Sequence, residues 1–159
     1  MTSDNTEPSQ PEETSISASS NESNYSRITR KVALYAVGVF IALHGLAHLI
    51  GTMVYFDPTG ELYRTTILWG AIDLGDVGIR VWGGLYAVST AAFAISAAGM
   101  ILDRQWWRRL LLSVLLVSLL ITFADLDRAY VGFIINIALL IGLAAHIKAR
   151  WFDKDAQNR

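Results

Sequence analysis

Apolar residues are concentrated in four long runs of the chain, whereas polar residues dominate its first 26 positions. The apolar runs cover about residues 32–56, 81–102, 110–124 and 130–147. A helix needs about 20 apolar residues to cross the hydrocarbon core of a bilayer, and local thinning of the bilayer accommodates shorter helices. The pattern therefore predicts an all-α fold, a polytopic membrane four-helix bundle within residues 27–150.

The connections between the runs differ in length. Residues 57–79 contain LYRTTILWGAIDLG, which is too apolar for a free loop and too short and charged to span a bilayer. We expect an interfacial helix or a cap over the outer end of the bundle between helices 1 and 2. The third and fourth runs are separated only by DLDR, which predicts a tight antiparallel hairpin.

The two ends of the chain are polar. Residues 1–24 contain five acidic side chains and no Lys or Arg, and this composition cannot bury enough apolar surface to fold. We predict a disordered polar and acidic cytoplasmic tail over residues 1–26. Residues 151–159 are predicted to form a short cytoplasmic tail.

The distribution of positive charge predicts an orientation. If the N-terminus is inside, ten of the 13 Lys and Arg residues fall on the cytoplasmic side, and three fall outside: Arg64, Arg80 and Arg128. Cytoplasmic loops of membrane proteins carry such an excess of Lys and Arg. We therefore predict a multi-pass protein of a prokaryotic cytoplasmic membrane, with the lipid bilayer as its partner and both termini inside.

Two features of the sequence limit the kinds of site and partner that the protein can have. The chain has no cysteine, which excludes disulfides, thiol catalysis, thiolate metal sites and iron–sulfur clusters. The basic and aromatic stretch RQWWRR at residues 104–109 is typical of an anchor at the headgroups of a membrane. We predict no nucleic-acid partner.

A group of polar residues inside the apolar runs forms the candidate site. His44 and His48 are four residues apart, so they share one face of a helix. Depth counted at about 1.5 Å per residue places five more polar residues in two layers with these histidines. The deeper layer contains His44, Thr90, Thr122 and Asn136, and the outer layer contains His48, Tyr86 and Asp125.

Four interpretations of this site remain open. The side chains could form hydrogen bonds between helices, or His44, His48 and Asp125 could bind a divalent metal, because this histidine spacing is found in helical zinc sites. Leu46 and Ala47 between the histidines exclude the HExxH signature of metalloproteases. A histidine could also donate to a quinone oxygen, or a His–Asp pair could relay protons in transport.

The stretch HGLAHLIG at residues 44–51 resembles the HGxxHLxG signature in the first helix of uncharacterised small membrane proteins. Residues 31–149 resemble, in architecture, the small four-helix prokaryotic membrane proteins grouped as DoxX-like. Some DoxX-like proteins are membrane subunits of quinone-linked oxidoreductases, so the resemblance implies such a role here. No catalytic residue is carried over by the resemblance.

Together these observations predict a small integral membrane protein without an enzymatic activity of its own. We expect an accessory subunit, with a membrane complex or a second copy of the chain as its partner. A polar pocket near the outer face is predicted around His44, His48 and Asp125. The alternatives are a quinone-linked oxidoreductase subunit, a metal-binding protein and a proton-coupled transport protein, with a divalent metal or a quinone as the candidate cofactor.

Overall fold

A computed structural model describes residues 12–157 of the chain, and the side chains of residues 27–149. The fold is helical, as predicted. In chain order the elements are α1 (Glu12–Phe56), β1 (Thr66–Ile67), β2 (Ile72–Asp73), α2 (Gly75–Ile101), α3 (Trp107–Ala124) and α4 (Leu126–Gln157).

Within the described residues, four helical segments are long and apolar enough to cross a membrane. They are Arg27–Phe56, Gly75–Ile101, Trp107–Ala124 and Leu126–Ala149. Helices α2, α3 and α4 begin earlier than the apolar runs at 81, 110 and 130. The additional residues include Asp76 in the first turn of α2 and Asp127 in the first turn of α4. An acidic residue is favourable near a helix N-terminus, but a search for apolar runs does not detect it.

The chain divides into two compact units, residues 1–36 and residues 37–159. In the first unit α1 begins at Glu12, so it includes residues 12–26 of the predicted tail. Extension of an existing helix needs no new nucleation, so a polar stretch can continue one. Residues 1–11 of the predicted tail lie outside the described residues. At the other end α4 continues to Gln157, and residues 158–159 are also outside.

In the second unit, successive helices run antiparallel. Thr122 of α3 lies near Gly132 of α4, and Ser118 contacts Asn136 one turn further along. This arrangement confirms the antiparallel hairpin predicted from DLDR. Only Asp125 separates α3 from α4, and the backbone of α4 departs from helical geometry at Ala129.

Helices α1 and α2 approach closely where α1 has glycine. A Cβ atom added at Gly45 would lie 2.5 Å from the Cβ of Phe93, a distance that real Cβ atoms do not show. A Cβ atom at Gly51 would lie 2.6 Å from the ring of Tyr86. These two glycines let α1 pack directly against α2, which positions the histidines of α1 in the interior.

The connection over residues 57–74, which we call the cap, contains two short strands and no helix. The interfacial helix predicted as one form of this segment is therefore wrong. Strands β1 and β2 pair antiparallel, with Thr66 opposite Asp73 and Ile67 opposite Ile72. β-Branched residues fit a strand better than a helix, which explains the difference. The cap is fixed to the bundle by the buried side chain of Ile67 and by a hydrogen bond of 2.8 Å from the Leu68 N–H to the Ala124 carbonyl.

Candidate functional site

The two histidines of α1 face the interior of the second unit. Only 5% of His44 and 4% of His48 is exposed. Their ring centroids are 5.0 Å apart, and the ring of Phe93 lies edge-on to His44 at 5.1 Å and to His48 at 5.4 Å. The ring of Phe93 therefore packs against one side of the two histidines.

His44 is hydrogen-bonded to α4. Its Nε2 atom lies 2.9 Å from Oδ1 of Asn136, which is itself buried. An amide oxygen only accepts hydrogen bonds, so Nε2 of His44 carries the proton and donates it. This bond joins the first and last helices of the bundle.

Asn136 continues the network into α3. Its Nδ2 atom donates to Ser118 Oγ at 2.7 Å and to Thr122 Oγ1 at 3.2 Å. The Thr122 hydroxyl donates in turn to the Ser118 carbonyl at 2.7 Å. Both hydrogens and the oxygen of the Asn136 amide are thus used within the bundle.

Ser118 connects this network back to α1. Its Oγ atom lies 2.6 Å from Nε2 of His48. Because the Ser118 hydroxyl can donate or accept, this contact joins α1 to α3 with either ring nitrogen of His48 protonated. We call His44, His48, Ser118, Thr122 and Asn136 the histidine cluster.

A second group of polar contacts surrounds Asp125, the residue between α3 and α4. The carboxylate is 2% exposed. Its Oδ2 atom accepts from the Tyr86 hydroxyl at 2.6 Å and from Trp82 Nε1 at 3.2 Å. Its Oδ1 atom lies 3.4 Å from Nη2 of Arg64, a residue of the cap. We call Arg64, Trp82, Tyr86, Asp125 and Asp127 the aspartate cluster.

Arg64 links the cap to the start of α4. Its two Nη atoms donate to the two oxygens of Asp127 at 2.6 and 2.9 Å. This hydrogen bonding to Asp127 raises the pKa of the Arg64 guanidinium further above its ordinary value, so that Arg64 stays charged. The cap is therefore held over the α3–α4 turn by a bidentate ion pair.

The structure rearranges the two predicted layers. His44, Thr122 and Asn136 are joined as predicted, and so are Tyr86 and Asp125. His48, however, bonds into the deeper group through Ser118 instead of reaching Asp125. Thr90 belongs to neither cluster, because its hydroxyl donates to the Tyr86 carbonyl of its own helix at 3.1 Å. Depth counting places residues at a level but does not tell which helices are neighbours.

Four participants are not among the predicted site residues: Ser118, Trp82, Arg64 and Asp127. The sequence contains a signal for the first three of them. Ser118 shares a helix face with Thr122 and Asp125, and Trp82 lies one turn before Tyr86. Arg64 is the single cationic residue within residues 57–79, where a buried acid at the same end of the bundle needs a partner.

The arrangement does not bring together the ligands of the metal site considered from the sequence. Within the side chains that the structure describes, no three His, Asp or Glu residues form a group suited to a metal ion. His44 and His48 direct Nε2 to Asn136 and Ser118, whereas Asp125 is bonded to Tyr86, Trp82 and Arg64. His44, His48 and Asp125 thus belong to two separate hydrogen-bond networks.

No protein-family model, curated protein or solved structure matches this chain. The resemblance to DoxX-like proteins therefore stays a prediction from the sequence. Interpretation of the histidine and aspartate clusters rests on their own contacts.

Proposed function

We propose that the protein is a multi-pass integral protein of a prokaryotic cytoplasmic membrane, with both termini inside and no catalytic activity of its own. The observation that carries this proposal is the distribution of polarity across the helices. Large apolar side chains such as Leu116 and Ile141 are exposed, while His44, His48 and Asn136 are buried. Polar side chains in a membrane face the bundle interior and pair with one another, as they do here.

The contacts of the histidine cluster support a role in helix association. The Nε2 atoms of His44 and His48 and the amide of Asn136 already have partners in the protein. A metal ion or a quinone oxygen bound at Nε2 of His44 or His48 would displace Asn136 or Ser118. In a bilayer interior no water replaces a displaced partner, so such binding would leave a polar group unsatisfied. Hydrogen bonds between helices are the use that fits this geometry best.

The packing of α4 supports a role as an accessory subunit. The most apolar part of α4 is 11% buried, against 44% for α3. Exposed side chains along α4 include Val131, Ile134 and Ile141. Because association in lipid depends on packing between helix surfaces, α4, the least buried of the four spans, offers a free surface for a helix of a partner protein.

Labelling of introduced cysteines tests the membrane orientation. The natural chain has no cysteine, so each introduced thiol is unique. In intact cells a membrane-impermeant maleimide should label Glu61→Cys in the cap, but should label Gln105→Cys, between α2 and α3, only after the membrane is opened. The reverse pattern would overturn the orientation, and labelling of both variants in intact cells would overturn the four-span topology.

Purification in mild detergent tests whether the protein carries a bound cofactor or a partner protein. We expect the protein to be recovered with a partner membrane protein and without a quinone or a metal in a fixed ratio. A stoichiometric quinone that is lost in His44→Ala and His48→Ala variants that remain folded would overturn the proposal. That result would favour the quinone-linked role implied by the DoxX-like resemblance.

A further inference from the structure

The turn between β1 and β2 has an unusual backbone. Leu68 and Trp69 have φ angles of 52° and 58°, in the left-handed region that bulky residues rarely adopt, and Gly70 follows at 87°. Such a conformation persists only where the surroundings hold it. Here the Leu68 N–H is bonded to the Ala124 carbonyl, and the Leu68 side chain packs against the buried residues at this end of the bundle.

This turn directs the next side chain, Trp69, outward. Trp69 is 60% exposed although it follows a residue that packs inward. Its ring lies edge-on to Phe123 of α3, with centroids 6.1 Å apart, and Phe123 is itself 46% exposed. Trp69 therefore lies beside the outward apolar surface of the last turn of α3.

Trp69 is one of several large apolar side chains that the cap exposes. Leu62 is 58% exposed and Ile72 is 44% exposed. Ile72 stands opposite the buried Ile67 in the strand pair, so it extends the apolar side of the ladder outward. A cap in water would expose these side chains at a cost, whereas a bilayer interface accommodates Trp and aliphatic residues together.

We propose that the cap is seated in the outer leaflet of the membrane, with Leu62, Trp69 and Ile72 at the boundary between headgroups and acyl chains. This inference rests on the proposed membrane location of the four helices. This position adds a lipid contact to the cap, which carries Arg64. The lipid contact thereby stabilises the cap over the aspartate cluster.

The charges of the cap favour zwitterionic lipid. Within residues 57–74 the acidic side chains of Asp57, Glu61 and Asp73 are exposed. The single cationic side chain, Arg64, is engaged by Asp127 and Asp125. Anionic headgroups would repel these carboxylates, because charges near a membrane surface interact within a Debye length. The structure assigns the cap to zwitterionic headgroups.

Spin labelling of single cysteines in nanodiscs tests whether the cap lies in the membrane. Nitroxides are attached to Leu62→Cys, Trp69→Cys and Ile72→Cys in the full chain, and collisions with oxygen and with a water-soluble nickel chelate are measured. Glu61→Cys is the matched control in the cap, and Leu116→Cys is the control for the span. In phosphatidylcholine, the oxygen-to-nickel ratio at the three apolar positions should exceed that at Glu61→Cys several-fold. Replacing half of the lipid by phosphatidylglycerol should lower these ratios while Leu116→Cys stays unchanged.

Other results would overturn the inference in distinguishable ways. The nickel chelate could reach Leu62→Cys and Ile72→Cys as readily as Glu61→Cys, while Leu116→Cys is still in lipid. That result would place the cap in water without contradicting the proposed function. Protection of the cap positions from both reagents would indicate a protein cover in place of lipid. Nickel access at Leu116→Cys would reject the membrane location itself. Ratios that rise with phosphatidylglycerol would reject the choice of zwitterionic lipid.

Discussion

The histidine cluster and the aspartate cluster satisfy buried polar groups in different ways. The first joins three helices through uncharged hydrogen-bonding groups, each of which has a counterpart on a neighbouring helix. The second surrounds the carboxylate of Asp125 with hydroxyl, indole and guanidinium donors, and one of them comes from the cap. Neutral groups can be satisfied within the helices alone, whereas a buried charge here requires a residue from outside them.

This difference predicts unequal contributions to stability. A neutral hydrogen bond between helices contributes about 0.6–2 kcal/mol in membranes. Removal of one partner from a buried ion pair costs about 3–5 kcal/mol, because the other charge is left uncompensated. Substitutions in the aspartate cluster should therefore have larger effects than those in the histidine cluster, and substitutions that remove a partner should have larger effects than those that remove a pair.

The largest effect is expected for Asp125→Leu. The substitution leaves the hydroxyl of Tyr86 and the indole N–H of Trp82 without their acceptor, and it removes one of the two carboxylates that compensate Arg64. The free energy of unfolding should fall by about 3–5 kcal/mol. Unfolding in mixed detergent micelles, followed by circular dichroism, measures the change.

The double variant Tyr86→Phe/Asp125→Leu is the matched control for the lost acceptor. Because it removes the Tyr86 hydroxyl together with the carboxylate that accepts from it, it should be more stable than Asp125→Leu alone. If the double variant is the less stable of the two, the loss in Asp125→Leu does not come from an unsatisfied donor, and the distinction between the two clusters fails.

The polar interior shows how far the sequence predicts a buried polar site. Four apolar runs and the antiparallel hairpin at DLDR follow from hydropathy and spacing alone, because the length of an apolar helix is constrained by the bilayer. Burial of His44, Asp125 and Asn136 also follows, since strongly polar groups avoid lipid. These predictions concern one helix at a time.

The partners were harder to predict because they depend on how helices are arranged around one another. Depth counting pairs His48 with Asp125, but the rotation of α3 presents Ser118 to it instead. Depth counting does not reach Arg64, because its role depends on the cap, which contains a left-handed turn at Leu68 and Trp69. The rotation of a helix about its axis has no periodic signal in the sequence. A contact between residues far apart in the chain, such as that of Arg64 with Asp127, has none either.

In the histidine cluster, Asn136→Leu should have the largest effect. It removes the acceptor of His44 and the donors to Ser118 and Thr122. Leaving such groups unsatisfied costs about 1–3 kcal/mol, which should be less than the loss in Asp125→Leu. The same unfolding measurement applies, with Ile134→Leu at an exposed position of α4 as a control that should be close to neutral. A loss larger than that of Asp125→Leu would reverse the proposed ranking.

A smaller effect is expected for Gly45→Ala, which tests the packing that supports the histidine cluster. The added methyl group meets the Cβ of Phe93, an atom fixed to the backbone of α2, so the helices must separate. Overpacking costs about 1–3 kcal/mol, and the gain of about 1 kcal/mol in helix propensity offsets part of it. Gly142→Ala, where no atom lies within 4 Å, should instead become more stable. Equal effects of the two substitutions would show that close approach at Gly45 is not required.

The smallest effect should appear in the cap, as a response of its turn to acid. Hydrogen bonds from the Thr65 hydroxyl and from the Gly75 N–H lower the pKa of Asp73 below its ordinary value. A lowered folded pKa stabilises the cap above the ordinary aspartate pKa of about 3.9, and this contribution is lost as the pH falls through the folded value. Hydrogen-exchange protection of the Leu74 amide, which donates to the Thr65 carbonyl at 2.8 Å, should therefore decrease slightly below pH of about 4. Asp73→Asn keeps an acceptor for Gly75 but cannot ionise, so its protection should not change over this range. The same pH dependence in Asp73→Asn would assign the response to another carboxylate. Asp57 is one candidate, because its hydrogen bonds with Thr59 also lower its pKa.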